Sequence, residues 1–240
     1  MEGMVDIHCH ILPGVDDGAE RMEEALQLLH MEREQGVRAV ILTPHYRGAY
    51  FETPRSRVRE VFQELQEESR RELPDLELYL GCEFHSRSDG AELIREEECF
   101  RMAGTRYVLL EFSGGDRVEL MYQRSQELRR EGFRPVIAHA ERYPALERIS
   151  NVQALVEAGA YIQLNAGSVT GENGWRVRGR CRRLLKEELV HFVASDAHDR
   201  KRRRPDLARC AAHLERTLGA ERAEKLLVLH PRKLLRDESI

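Results

Sequence analysis

Five histidines and three carboxylates stand directly after short apolar runs in this 240-residue chain. His8 and His10 follow the first run, and His45 ends Thr43-Pro44-His45 after the second. Glu83 and Glu111 follow the third and fourth, and His139 ends Ile137-Ala138-His139 after the fifth. Asp196 and His198 close the segment Ala194-Ser195-Asp196-Ala197-His198. Imidazole mixed with carboxylate is the donor set of zinc, manganese or iron, whereas all-oxygen sites suit magnesium or calcium. Carboxylates gathered in one place repel each other by roughly 4 kcal/mol per pair at 4 Å and an effective dielectric of 20, and bound divalent cations relieve that. A single histidine in such a place is usually a hydrogen-bonded core or surface residue. Eight residues of these types in one register point to a metal cluster. His85 shares a face with Glu83 and is a secondary candidate, whereas His30 and His213 lie on helical stretches, His191 begins a strand and His230 is near the C-terminus.

The elements that must position these residues alternate along the chain. Met4–Ile7, Ala39–Leu42, Leu76–Leu80, Tyr107–Leu110, Pro135–Ala138, Tyr161–Leu164 and His191–Ala194 read as buried parallel strands, rich in Val, Ile, Leu and Tyr. Between them the apolar residues recur at helical spacing. Met22, Ala25, Leu26 and Leu29 share one face; Val58, Val61, Phe62 and Leu65 another; Leu146, Ile149, Val152 and Val156 a third; and Leu207, Cys210, Ala211 and Leu214 a fourth. A βαβα order predicts a parallel sheet clothed in helices. Seven units predict a closed or nearly closed TIM-like (β/α)7 barrel, with a doubly wound open sheet as the alternative. In a barrel all strands open their C-terminal ends on one face, where active sites form. Residues two apart on an extended strand project the same way, which pairs His8 with His10 and Asp196 with His198. The sixth strand alone ends without a ligand type, at Asn165.

The bulk properties agree with one soluble domain spanning residues 1–240. The hydrophobic fraction is 41%, charged residues make up 33%, and the net charge of −4 gives no global field for nucleic acid. No apolar run approaches a membrane span, and the opening MEGMVDIHCH does not read as a signal peptide. Five cysteines without a Cys-x-x-Cys pair predict a reducing, cytoplasmic setting rather than a disulfide framework or a zinc ribbon.

The motifs taken together resemble the PHP superfamily of metal phosphoesterases and, within it, the bacterial manganese-dependent protein-tyrosine phosphatases of the CpsB/CapC type. They are Asp6-Ile7-His8-Cys9-His10, Val15-Asp16-Asp17-Gly18, Thr43-Pro44-His45, Phe51-Glu52-Thr53-Pro54, Gly81-Cys82-Glu83, Leu110-Glu111-Phe112-Ser113, Ile137-Ala138-His139-Ala140-Glu141-Arg142-Tyr143 and Ala194-Ser195-Asp196-Ala197-His198, with Pro231-Arg232-Lys233-Leu234-Leu235 near the end. The resemblance implies a PHP-fold barrel with three divalent ions, manganese foremost and iron, zinc or magnesium able to serve. One ion would take His8, His10, Glu83 and Asp196; a second Glu83, Glu111 and His139; a third Asp17, His45 and His198, with Asp16 as the alternative to Asp17. Arg142 would bind phosphoryl oxygens, with Arg203 or Arg204 as a second clamp. The implied substrate is the tyrosine-rich tail of a bacterial kinase controlling capsule or exopolysaccharide synthesis, hydrolysed by metal-activated water. A basic rim after His198 would also suit an acidic phosphopeptide. His230-Pro231 stands where the family usually has Asn-Pro.

Two other functions use the same residues differently. A small-molecule phosphatase, acting for instance on histidinol phosphate, would need the same cluster under a closed cap instead of an open mouth. A non-catalytic module binding a partner or nucleic acid would have no need of intact ligand motifs. A decoy also occurs: Cys210-Ala211-Ala212-His213-Leu214-Glu215-Arg216 matches the Cys-x5-Arg of cysteine-dependent tyrosine phosphatases. It contains no glycine and falls on a helical stripe, where backbone N–H groups already serve the i−4 carbonyls. Cys210 is therefore predicted to be a buried packing residue.

Overall fold

The computed structural model describes residues 1–48, 50–51 and 53–240. Glu52 of the Phe-Glu-Thr-Pro motif lies outside the described residues. The strands are β1 (Met4–Cys9), β2 (Val37–Leu42), β3 (His45–Tyr46), β4 (Glu77–Leu80), β5 (Glu83–His85), β6 (Tyr107–Glu111), β7 (Arg134–Ile137), β8 (Tyr161–Asn165) and β9 (Phe192–Ala194). The helices are α1 (Met22–Glu34), α2 (Arg55–Glu72), α3 (Gly90–Arg95), α4 (Val118–Arg130), α5 (Ile149–Glu157), α6 (Ala166–Thr170), α7 (Trp175–Lys186), α8 (Leu207–Leu218), α9 (Ala220–Glu224) and α10 (His230–Leu235).

Among the described residues, the seven pairings between these strands are parallel. They form two hydrogen-bonded runs, β1-β2-β4 and β3-β5-β6-β7-β8-β9. The split arises because the second and third of the seven expected strands are each broken in two. Pro44, which has no N–H to give, separates β2 from β3. Gly81 separates β4 from β5, packed so tightly that a β-carbon there would lie 3.2 Å from Met102 Cα. Backbone bonds still cross both breaks, from Gly81 N–H to Leu42 O (2.8 Å) and from Glu83 N–H to Pro44 O (3.1 Å). On the other side Asp196 N–H donates to His8 O (2.8 Å) and His10 N–H to Ala197 O (2.7 Å), joining the first strand to the last. The result is a distorted barrel, not an open doubly wound sheet.

Alternation along the strands decides what fills it. Val5, Ile7, Ala39, Ile41, Tyr107, Leu109, Val136, Ala138, Phe192 and Ala194 form an interior cluster. Met4, Val40, Leu42, Val108, Leu110, Ile162, Leu164 and Val193 face the helices. The helical faces follow the expected periodicity with small rotations. α1 buries Ala25, Leu28, Leu29 and Glu32, α2 buries Val58, Val61, Leu65 and Ser69, and α8 buries Leu207, Cys210, Ala211 and Leu214.

Candidate metal centre

The predicted site residues leave the strands at one end of the barrel, and local irregularities aim them. The register of β1 against β2 slips between Asp6 and Cys9. Such a bulge re-aims side chains, and here Cys9 joins Met4 on the helix side while His8 and His10 enter the site. His139 and Asp196 both have positive φ, +32° and +56°. Non-glycine residues seldom adopt that backbone, and where they do the surroundings must hold it. Gly18 explains the Asp-Asp-Gly motif: a β-carbon there would collide with the His10 carbonyl, so only glycine lets the Asp16–Asp17 loop lie this close.

Glu83 stands at the centre, 1% exposed. Its Oε2 lies 3.3 Å from His8 Nε2, 3.2 Å from His10 Nε2 and 3.1 Å from His45 Nδ1, and its Oε1 lies 2.7 Å from His139 Nε2. Three sets of donor atoms converge closely enough to share an ion: His8, His10 and Asp196; His10, Asp17, His45 and His198; and His45, Glu83 and Glu111. These overlap the expected ligand sets without coinciding with them. His10 also approaches the Asp17 set, and His45 joins Glu83 and Glu111. His139 reaches the cluster through Glu83.

The structure separates the two adjacent aspartates. Asp17 Oδ1 lies 3.5 Å from both His45 Nε2 and His198 Nε2. Asp16 instead stands behind His10, accepting from its Nδ1 (2.6 Å) and from His45 N–H (2.9 Å), which leaves His10 Nε2 turned inwards. It also separates the arginines. Arg142 Nη2 and Arg203 Nη2 each lie 2.9 Å from an Asp196 oxygen, on Oδ2 and Oδ1 respectively. Arg204 is exposed and makes no ion pair among the described residues. His85 is not in the cluster but bonds to it, Nδ1 to Glu111 Oε2 at 3.0 Å.

Several supporting residues escaped sequence reasoning because amides and hydroxyls do not announce themselves by type. Gln163 Oε1 accepts from His139 N–H (2.7 Å) and sits 3.2 Å from His8 Nδ1. Asn165 Nδ2 donates to Asp196 Oδ2 (2.6 Å), and Gln163 Nε2 donates to Asn165 Oδ1 (2.9 Å). The available signal was two polar residues, Gln163 and Asn165, two apart on an otherwise apolar strand. Tyr143 places its hydroxyl 3.2 Å from His139 Nδ1 and accepts from Phe112 N–H. Asp6 accepts from the N–H groups of His8 and Ser195 and from the Ser195 hydroxyl, tying the first strand to the last beneath the site.

The charges interlock. Burial pulls the His8 imidazole down, but Glu83 and Asp196 outweigh it and raise its pKa. Burial likewise opposes His10, and the Asp16 carboxylate overcomes it and holds that pKa well above the ordinary value. Glu83 is held well below the carboxylate range despite burial, chiefly by His8 and His139. His45 and His198 are pushed down by burial and then by the charge of His10, which favours the neutral form that metals need.

The cluster fits divalent metal. His45 Nδ1 and His198 Nε2 are buried without a hydrogen-bond partner among the described residues. Nδ1 of His45 is near Glu83 Oε2, yet the geometry forms no hydrogen bond. A buried polar atom left so is unfavourable by roughly 1–3 kcal/mol, and inner-sphere cations, one on the Glu83 side and one on the Asp17 side, would satisfy the two. Mixed imidazole and carboxylate donors are the set that manganese, iron or zinc accepts.

Residues 4–236 match the family model described as capsular polysaccharide synthesis, CpsB/CapC. The chain is 35% identical over 243 residues to tyrosine-protein phosphatase CpsB of Streptococcus pneumoniae, covering 99% of this chain and 100% of that one. It is 32% identical over 238 residues to tyrosine-protein phosphatase YwqE of Bacillus subtilis, covering 99% and 93%. A solved structure from work on YwqE of Bacillus subtilis and CpsB of Streptococcus pneumoniae, described as unique metal-dependent tyrosine phosphatases, superposes with a TM-score of 0.92 at 33% identity, over 99% of this chain and 96% of that one. The phosphotriesterase homology protein of Escherichia coli superposes at 0.64 with 13% identity, over 97% and 98%, which is a likeness of fold alone.

Proposed function

The chain belongs to the CpsB/CapC family, and from that membership we propose that it is a metal-dependent protein-tyrosine phosphatase of capsule or exopolysaccharide synthesis. One observation carries the reading: a single buried carboxylate, Glu83, has four imidazole nitrogens within 3.3 Å of its oxygens.

We assign His8, His10, Glu83 and Asp196 to one ion, Glu83, Glu111 and His139 to a second, and Asp17, His45 and His198 to a third, with manganese the best fit. Such ions supply Lewis-acid charge and lower the pKa of a bound water towards about 7. The protein's own part is placement. Asp16 holds His10 with Nε2 inwards, Gln163 orients His8 and His139, and His85 orients Glu111. Arg142 and Arg203 approach Asp196 from two sides at the mouth, and their planar forks suit phosphoryl oxygens. Phe51 stacks on His45, ring centroids 5.0 Å apart, and offers an aromatic wall to a phenolic ester.

Exposure favours a peptide over a small metabolite. The side chains of Asp17, Arg142 and Arg203 are 47%, 40% and 38% exposed, so the mouth is open. The fitting partner is the phosphotyrosine tail of a bacterial tyrosine kinase. The five cysteines are all free and buried, which suits a cytoplasmic protein. No helix among the described residues is long and apolar enough to cross a membrane.

The test is steady-state hydrolysis of a phosphotyrosine peptide beside histidinol phosphate, with defined manganese loading. The peptide should be turned over at least about a hundredfold more efficiently, as a site built for one leaving group allows. Preference for histidinol phosphate would overturn the assignment.

A further inference from the structure

Charge is unevenly distributed in this chain. Residues 175–216 carry thirteen Lys and Arg against six Asp and Glu, a net of +7 in a chain whose net is −4. Three of those acids do not face outwards as free charges: Asp196 belongs to the site, Asp206 is buried, and Asp199 accepts from the backbone of its own loop. On α7, Arg176, Arg178 and Arg182 are exposed and have no carboxylate partner among the described residues. Burial and then the charges of Arg178, Arg216 and Arg209 lower the pKa of His213, so those guanidiniums of α7 and α8 share one face. Trp175, the only tryptophan, begins α7 at 78% exposure with the Arg176 guanidinium 5.2 Å from its ring centre.

This face adjoins both phosphate-facing arginines. Arg180 of α7 donates to Glu141 O (2.5 Å) and Tyr143 O (3.2 Å), the carbonyls either side of Arg142. Arg203, which reaches Asp196, belongs to the basic loop that leads into α8. The turn between α6 and α7 is bridged to the start of α8 through Glu172 and Arg209. A ligand lying on the face can therefore continue into the site.

We propose that the cationic face of α7, the loop at 200–204 and α8 docks an acidic stretch of the phosphoprotein beside its phosphotyrosine. The proposal rests on the phosphotyrosine reading of the site. Charge complementarity selects the occupant, because exposed guanidiniums without partners attract carboxylates in bidentate geometry. A membrane surface fits less well. α7 turns its apolar residues Cys181, Leu184 and Leu185 into the core, leaving no apolar face to insert. Single-stranded nucleic acid would need a series of stacking aromatics, and this face has one.

Trp175 provides a readout independent of catalysis. Its fluorescence is titrated with an unphosphorylated Asp/Glu-rich peptide and with a Ser/Gln peptide of equal length, at low and high salt. In parallel, kcat/KM is measured for phosphotyrosine peptides with acidic or neutral flanks, and for p-nitrophenyl phosphate. The wild-type protein should favour acidic peptides at least about tenfold in both assays, with the preference fading as salt screens it. Arg178→Glu/Arg182→Glu should erase the preference and leave p-nitrophenyl phosphate turnover unchanged. Arg178→Gln/Arg182→Gln, a milder change, should weaken it and guards against misfolding. A preference absent from the wild-type protein, or surviving in both variants, overturns the proposal. So does Trp175 responding to phosphatidylglycerol vesicles or to DNA but not to the acidic peptide. If Trp175 reports acidic-peptide binding while no phosphate ester is hydrolysed, the docking surface stands and the phosphatase reading falls.

Discussion

At the scale of single residues, removing one imidazole from around Glu83 leaves a buried carboxylate with less counter-charge and any bound ion with one donor fewer. His139→Ala and Asp196→Ala should each lose metal, measured by elemental analysis, and lose roughly a hundredfold or more in turnover, the scale of metal-assisted catalysis. A folded His139→Ala protein with unchanged metal content and rate would remove that residue from the site. Arg142→Ala should behave differently. Its Nη2 touches Asp196 but supplies no metal donor, so metal content should hold while kcat/KM falls on the order of a hundredfold, as for loss of one charge-assisted clamp. Retained activity with lowered stability would make Arg142 a structural ion-pair partner only. Much of this site was legible in the sequence, because imidazoles and carboxylates are rare enough at strand ends to stand out. Glu83, His139 and Asp196 were visible by type. Asp16 against Asp17 and Arg203 against Arg204 were not, because adjacent residues of one type differ only in direction, which the Gly18 turn and the loop after His198 decide. Gln163 and Asn165 were missed since a neutral amide is as common in loops and cores as in sites.

At the scale of elements, burial and helix geometry separate a working motif from a coincidence. Cys210 and Arg216 sit about one and two-thirds turns apart on α8, where Cys210 is fully buried beside Leu207, Ala211 and Leu214. Burial pushes the Cys210 thiol well above its ordinary pKa, the opposite of what a nucleophile needs. Cys210→Ser should keep phosphatase activity within about twofold while stability drops by about 1–3 kcal/mol for the buried hydroxyl. Loss of turnover in folded, metal-replete protein, or a trapped phosphocysteine, would overturn this. The residue just before α8 leads to a pH prediction. Asp206 is buried with neither oxygen hydrogen-bonded among the described residues, and burial together with Glu172 and Asp6 pushes its pKa up from 3.8 to about 7. Between those values the folded state keeps a proton that the unfolded chain has released, so stability falls as pH rises through that window. Asp206→Asn removes the penalty. Its gain in Tm over the wild-type protein should grow from about pH 4 to about pH 7 and level off above. A gain that shrinks with rising pH would contradict the burial account. The helical stripe of α8 was readable from spacing alone, as were seven strands. The breaks after Leu42 and Leu80 were not, because they depend on how Pro44 and Gly81 meet neighbouring strands.

At the scale of the whole molecule, the barrel gathers its charges at one end, and this couples metal binding to folding. The interior is apolar from Val5 to Ala194, whereas the open end holds Glu83, Asp196 and five site histidines with exposures of 10% or less. In the unfolded chain these groups are far apart, so an ion that needs several of them binds the folded state almost exclusively. Mass action then fixes the size of the effect. Free metal at a hundred times its dissociation constant stabilises the fold by about 2.7 kcal/mol per site. For a chain of this length each 1 kcal/mol moves Tm by roughly 2–4 °C. Manganese should therefore raise Tm over chelator-treated protein by about 5–10 °C for each site so filled, and the rise should continue with metal concentration. The same titration should restore phosphatase activity that chelation has abolished, with activity levelling off once the sites are full while Tm goes on rising. Glu83→Gln should weaken both responses to metal, since it removes a carboxylate that four imidazoles approach. A Tm indifferent to metal, or full activity in protein shown by elemental analysis to be metal-free, would mean that the strand-end cluster is held together by its own ion pairs and that hydrolysis proceeds without metal.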